Sequence, residues 1–195
     1  MKWYSCAVRG RELCVSDNLW ICLIDNIPNK PPKYVINGQF SSSKNELLIP
    51  GSSIYYFVLA WDIDVMNYRS FLNDILGSES FSNARPMSIR GMFYRDWKLM
   101  GLHRAPSSGE SCIYASSSAF ESLVDRINWL EQDLNLDIMG TSMMERGISL
   151  DVIEACKSNP IVNGRPLFSY LKAFDAEMCI SAILTLFIDG MTVML

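Results

Sequence analysis

Apolar positions along this chain change their rhythm about half way. In the first half they come in short runs that break at Gly, Pro, Asn and Asp, the pattern of strands; in the second half they recur every three or four residues, the pattern of amphipathic helices. Lys2–Val8 and Glu12–Val15 read as a strand and its return across Arg9-Gly10-Arg11, followed after Asp17-Asn18 by a second apolar run, Leu19–Ile24. Pro28, Pro31 and Pro32 make Asn26–Lys33 a loop, because proline cannot donate to a ladder and holds the preceding residue extended. Tyr34–Phe40 and Leu47–Ile49 are weaker strands either side of a polar connection. The longest apolar run, Ile54 to Trp61, leads into Asp62 and Asp64. It is rich in aromatic and β-branched residues and far short of the roughly 20 residues that cross a membrane, so Ile54–Met66 is expected to form a buried central strand.

Downstream, Val65, Tyr68, Leu72 and Ile75 are spaced for a helix over 65–76, with Asp64 as its N-cap and Gly77 as its stop. Residues 78–88 read as a loop, Ile89–Leu102 as strands broken at Gly91 and Gly101, Ala105–Glu110 as a turn, and Ser111–Ala115 as a short strand. Ser118 and Glu121 form an S-x-x-E capping box ahead of a stripe of Phe120, Leu123, Val124, Ile127, Leu130 and Leu134, which predicts a helix over 119–134. Gly140 and Gly147 interrupt the stretch after it. Ser149 caps a helix over 150–157 that Asn159-Pro160 ends, Pro166 opens a segment through Ala173, and 176–188 is expected to be a buried C-terminal helix. No internal repeat is evident. The expected fold is a single α+β domain over 1–195, with a mixed or antiparallel sheet in the N-terminal half packed against helices mainly from the C-terminal half.

A chain of 195 residues that is 49% hydrophobic buries a core without help from metals or disulfides. The six cysteines include no C-x-x-C pair, and the start MKWYSCAVRGREL lacks the apolar core of a signal peptide, so free thiols and a cytoplasmic location are expected. His103 is the one histidine, which disfavours zinc chemistry. A net charge of −4 argues against wholesale nucleic-acid binding.

Three constellations offer chemistry. Gly51-Ser52 followed by Asp62-Ile63-Asp64-Val65 resembles the signature of the polymerase-β-like nucleotidyltransferases, in which two strand-borne carboxylates hold divalent metal and a Gly-Ser turn meets nucleotide phosphate. That resemblance implies a Mg²⁺ site at Asp62 and Asp64, since alternate residues of a strand share a face. The intervening IYYFVLAW is apolar where that family has a polar, glycine-containing turn, and no third carboxylate is assigned. Second, residues 85–104 carry Arg85, Arg90, Arg95, Lys98 and Arg104 against Asp96 alone, interleaved with Phe93, Tyr94 and Trp97. Arginine with aromatics suits a protein interface, and equally phosphate contact with base stacking. Third, Cys112 and His103 flank a turn that would bring a thiol to a base.

Absent catalytic spacing, low charge and an Arg/Trp/Tyr-rich middle together favour a non-enzymatic protein-binding module, an inhibitor or immunity-type protein that blocks or escorts a partner protein. Arg90, Tyr94, Arg95, Trp97, Lys98 and Arg104 are its expected binding residues, with no cofactor. The alternatives are a Mg²⁺-dependent nucleotidyltransferase-like enzyme using Asp62 and Asp64, and a nucleic-acid binder through 85–104. No membrane contact is expected, and the apolar C-terminus is a candidate face for a homo-oligomer.

Overall fold

The computed structural model describes residues 12–16, 19–24, 31–36, 50, 53–106 and 113–187. The chain divides into two compact units, Met1–Tyr55 and Tyr56–Leu195. Among the described residues it is a mixed α and β protein, with antiparallel strands and seven helices. No helix among them is long and apolar enough to cross a membrane.

In the first unit, β1 (Glu12–Ser16), β2 (Leu19–Ile24) and β3 (Lys33–Ile36) form an antiparallel sheet in that order. Leu13 faces Ile21 and Cys22 faces Val35, with an irregularity between Cys14 and Ser16. The β2 run lies where its apolar pattern places it, and β3 begins directly after Pro31-Pro32, which cannot donate to a ladder. The strands expected at 2–8 and 47–49, and most of the Pro-rich loop, lie outside the described residues.

The second unit is helical, and its core is assembled from five helices. They are α3 (Ala119–Leu130), α4 (Ile138–Glu145), α5 (Leu150–Lys157), α6 (Leu167–Tyr170) and α7 (Ala176–Phe187). Phe120, Leu123, Met143, Ile153, Leu167, Ile180 and Ile183 are buried together. As the capping box predicts, Ser118 Oγ accepts from the Glu121 amide (3.1 Å); the Glu121 carboxylate reaches back one residue further, to the Ser117 amide (2.6 Å). α3 stops at Leu130 instead of reaching 134. Glu131 turns left-handed (φ 52°) and Gln132 N–H donates back to the Arg126 carbonyl. Leu134 still enters the core, from the short 3₁₀ turn Leu134–Leu136.

α4 was not legible, since Gly140 lowers helix propensity. That glycine is there for proximity: a Cβ would drive into the Leu134 carbonyl. α5 forms as the Ser149 cap predicts, and Ser158 and Asn159 close it. Between α5 and α6 a two-residue turn, Asn163 (φ 49°) and Gly164 (φ 77°), joins β4 (Ile161–Val162) to β5 (Arg165–Pro166). α5 follows α4, and α7 follows α6, after a short connection. Each connection contains one left-handed residue, Gly147 or Ala173, next to a core apolar residue, Ile148 or Phe174.

Over residues 54–76 the structure departs from expectation twice. The run Ile54–Trp61 has no regular secondary structure and is neither buried nor laddered among the described residues: Ile54 through Leu59 are 55–86% exposed. Strand propensity is a preference for a pleated, half-buried surface. The core of this unit is made by helices, so only Trp61 is drawn in, stacking on Phe71 at 4.8 Å. The expected helix 65–76 starts later, as α1 (Tyr68–Ser70), capped by Asn67 and not Asp64, and widens into a π-turn over Phe71–Leu76. The widened turn buries Tyr68, Phe71 and Leu76, leaving Val65 and Ile75 exposed. Gly77 (φ 92°) ends it as expected, its N–H donating to the Leu72 carbonyl.

Candidate functional site

Ile89–Leu102 is not strand. Ile89–Asp96 forms α2, because Ser88 Oγ caps the Gly91 amide (3.2 Å) while donating to the Arg85 carbonyl (2.7 Å). Gly91 sits against that same carbonyl, where a Cβ cannot fit. After Asp96 the chain turns on itself, with Met100 donating to Asp96, Leu102 to Trp97, and Gly101 in a left-handed conformation. Helix and turn together bring the expected binding residues into one compact stretch.

Its cations are engaged with the protein itself. Arg90 is half-buried and donates to the Gly77 carbonyl (2.9 Å) and the Ile113 carbonyl (3.3 Å), tying two distant loops to α2. Arg95 grips the neighbouring Asp96 through Nε (2.9 and 3.0 Å) and Nη2, and donates Nη1 to the Pro86 carbonyl (3.3 Å). That grip holds the Asp96 carboxyl below the usual carboxylate range. Arg85 pairs with Asp74. Lys98 Nζ lies 5.3 Å from the centre of the Trp97 ring. Arg104 is exposed just beyond the turn, beside exposed His103. Beside these cations the stretch also shows apolar side chains to solvent: Met87, Tyr94, Leu99 and Met100 are exposed, Leu99 at 88%.

Compared with family models, curated proteins and solved structures, the chain matches none.

Asp62 and Asp64 do not stand on a strand. Asp62 Oδ1 accepts the Asp64 amide (2.9 Å), and Val65 and Met66 both donate to the Asp62 carbonyl, so the two residues open an exposed turn. The alternation that would have aimed both carboxylates at one ion is therefore lost. No group of three or more His, Cys, Asp or Glu side chains among the described residues is placed to hold a metal. Cys112 lies outside the described residues.

The sequence did not single out a cluster at the start of α3. Glu121 and Asp125, one turn apart, share donors: Tyr114 Oη donates to Glu121 (2.9 Å) and Asp125 (3.3 Å), Ser116 Oγ donates to Asp125 (2.7 Å), and Ser117 Oγ donates to Glu121. Burial, then the Glu121 charge, outweighs these donors and pushes the Asp125 carboxyl above its usual range. The signal was the i, i+4 acid pair behind three consecutive serines, masked by the role of Ser118 as a cap. Every donor in this cluster comes from the chain itself, and its effect is to fasten the 114–117 loop to α3.

Proposed function

We propose that this protein binds another protein through the face formed by residues 87–100, and acts by blocking or escorting that partner. The observation that supports this is the division of labour within the stretch. Arg85, Arg90 and Arg95, the first and last of them exposed, have their guanidinium groups hydrogen-bonded to their own chain, and Met87, Tyr94, Leu99 and Met100 stand exposed around them. A phosphate-binding face needs guanidinium groups turned toward the ligand. An interface needs exposed apolar and aromatic anchors with a polar rim, here Lys98 and Asp96.

Leu99→Asp and Tyr94→Ala test it. A tagged wild-type protein is expected to retain one protein in near-stoichiometric amount from native lysate, and each variant to lose at least ten-fold of that capture with its melting temperature unchanged. Equal capture by wild type and variants would place the interface elsewhere. An eluate holding nucleic acid in place of a protein would overturn the proposal.

A further inference from the structure

On the 87–100 face, charged and apolar side chains share the same turns. After α2, Gly101 (φ 74°) N–H donates to the Lys98 carbonyl and Leu102 N–H to the Trp97 carbonyl, the paired bonds of a helix closed by a left-handed glycine. Trp97 through Leu99 therefore continue the helical path, on which residues four apart are neighbours. That sets Lys98 beside exposed Tyr94, and Leu99 beside exposed Arg95. Arg95 Nη1 also reaches the Pro86 carbonyl, next to exposed Met87. The acids of this stretch do not offset its cations. Residues 85–104 hold five Lys and Arg against one Asp, a net +4 in a chain whose net charge is −4, which leaves the rest of the chain at −8. Of the Arg95–Asp96 pair the guanidinium is the more exposed side chain, 51% against 29%, and the same order holds for Arg85 and Asp74. Among the described residues no ion pair holds Lys98, whose ammonium lies over the Trp97 ring instead.

We propose that the partner of this face is an acidic protein surface, which lays apolar side chains on Tyr94, Leu99 and Met100 and sets Asp and Glu carboxylates on Lys98 and Arg95. This rests on the reading of the 87–100 face as a protein interface. Charge complementarity decides the class of partner. A second copy of this chain, docked face to face about a two-fold axis, would set +4 against +4, and like charges across an interface oppose association. An acidic partner is attracted to this stretch and repelled by the net −8 of the rest of the chain, so the same charges also steer its approach. The existing pairs do not stand in the way. Exposed ion pairs contribute about 0–1 kcal/mol, so the Arg95 guanidinium can take a partner's carboxylate at little cost.

The test pans a phage-displayed library of short random peptides against the full chain, then measures the selected peptides in solution by fluorescence anisotropy. Enriched sequences are expected to carry Asp or Glu beside aromatic or aliphatic residues. Their affinity should fall about ten-fold between about 50 and 500 mM salt, and about ten-fold in Lys98→Glu, whose circular dichroism spectrum should be unchanged. Lys98→Gln, which removes the charge without reversing it, should show a smaller loss; it and the salt series read the same charge should Lys98→Glu disturb the fold. Peptides that Leu99→Asp no longer binds, but that lack acidic residues or ignore both salt and Lys98→Glu, would overturn the acidic partner and leave the interface standing. A library that yields no binder, or binders that Leu99→Asp holds as tightly as wild type, would remove the interface and this proposal with it. Displacement of a selected peptide by an equal concentration of single-stranded DNA would overturn the proposal in favour of nucleic acid.

Discussion

Asp137 is the one charged residue among those described that is buried. Its carboxylate, almost fully buried, accepts Arg126 Nε (2.7 Å) and Nη2 (3.0 Å) and, through Oδ1, the amides of Met139 and Gly140 that begin α4. Burial by itself would raise its pKa; the hydrogen bonds and charge of Arg126, with the two amides, outweigh that and hold it below the usual range. Asp137→Ala would leave Arg126 without a carboxylate, holding only Ser122 Oγ, and α4 without its cap, and is expected to cost about 3 kcal/mol in urea unfolding. The charge part of this is pH-dependent, with a definite sign. A depressed folded pKa contributes stability above the unfolded value of about 3.9, lost as pH falls through the folded value. The gap between wild type and Asp137→Asn should therefore be wide at pH 7 and shrink below about pH 4. A gap constant with pH would mean that the site depends on shape and hydrogen bonding alone. Gly91 poses the opposite case, where two rules disagree. Helix propensity favours alanine by about 1 kcal/mol, but the Arg85 carbonyl occupies the space a methyl group would need. Overpacking of this kind costs about 1–3 kcal/mol, so Gly91→Ala is expected to lower the melting temperature, and an increase would show that the 85–88 turn yields.

At the scale of elements, what was legible was whatever a side chain announces locally. Ser118 and Ser149 caps, the Asn159-Pro160 stop, Gly77, and the three-and-four spacing of Phe120, Leu123 and Val124 located α3, α5 and the end of α1, because capping and amphipathic burial are decided within one or two turns. The Asn163-Gly164 pair was an equally local signal for the β4–β5 hairpin and was passed over in favour of Pro166, which lies one position ahead of α6. The failures share another cause. IYYFVLAW has strand propensity in nearly every residue, but a strand needs a neighbour, and whether one is available is a property of the fold. MFY in α2 has the same propensity and is helical, because Ser88 caps it and Gly91 lets it approach the 85–88 turn. The candidate site was legible in composition and not in orientation. Spacing showed arginines and aromatics together, but only coordinates show which arginines are hydrogen-bonded to their own chain and which apolar side chains stand exposed beside them.

At the largest scale, one cluster of buried apolar residues joins α3 through α7 of the second unit. Cys156 and Cys179, on α5 and α7, are both free and fully buried, and burial pushes their thiols up to about 12 and about 11. Little thiolate exists at neutral pH, so alkylation needs the core to open. Mass-spectrometric labelling in rising urea is expected to modify both together at the main unfolding transition; labelling of Cys179 alone at lower urea would show that α7 leaves first. The same cluster is closed by residues far apart in the chain. Tyr68 N–H donates to Asp175 Oδ1 across 107 positions, Ala173 N–H to the Ser117 carbonyl, and Ala119 N–H to the Phe174 carbonyl. During synthesis, at about 5–20 residues per second, Tyr68 is made on the order of 5–20 s before Asp175 exists. Within that interval the nascent chain holds Phe120 and Leu123 without the helices α6 and α7 that cover them, so the core of this unit closes only once α7 has been made.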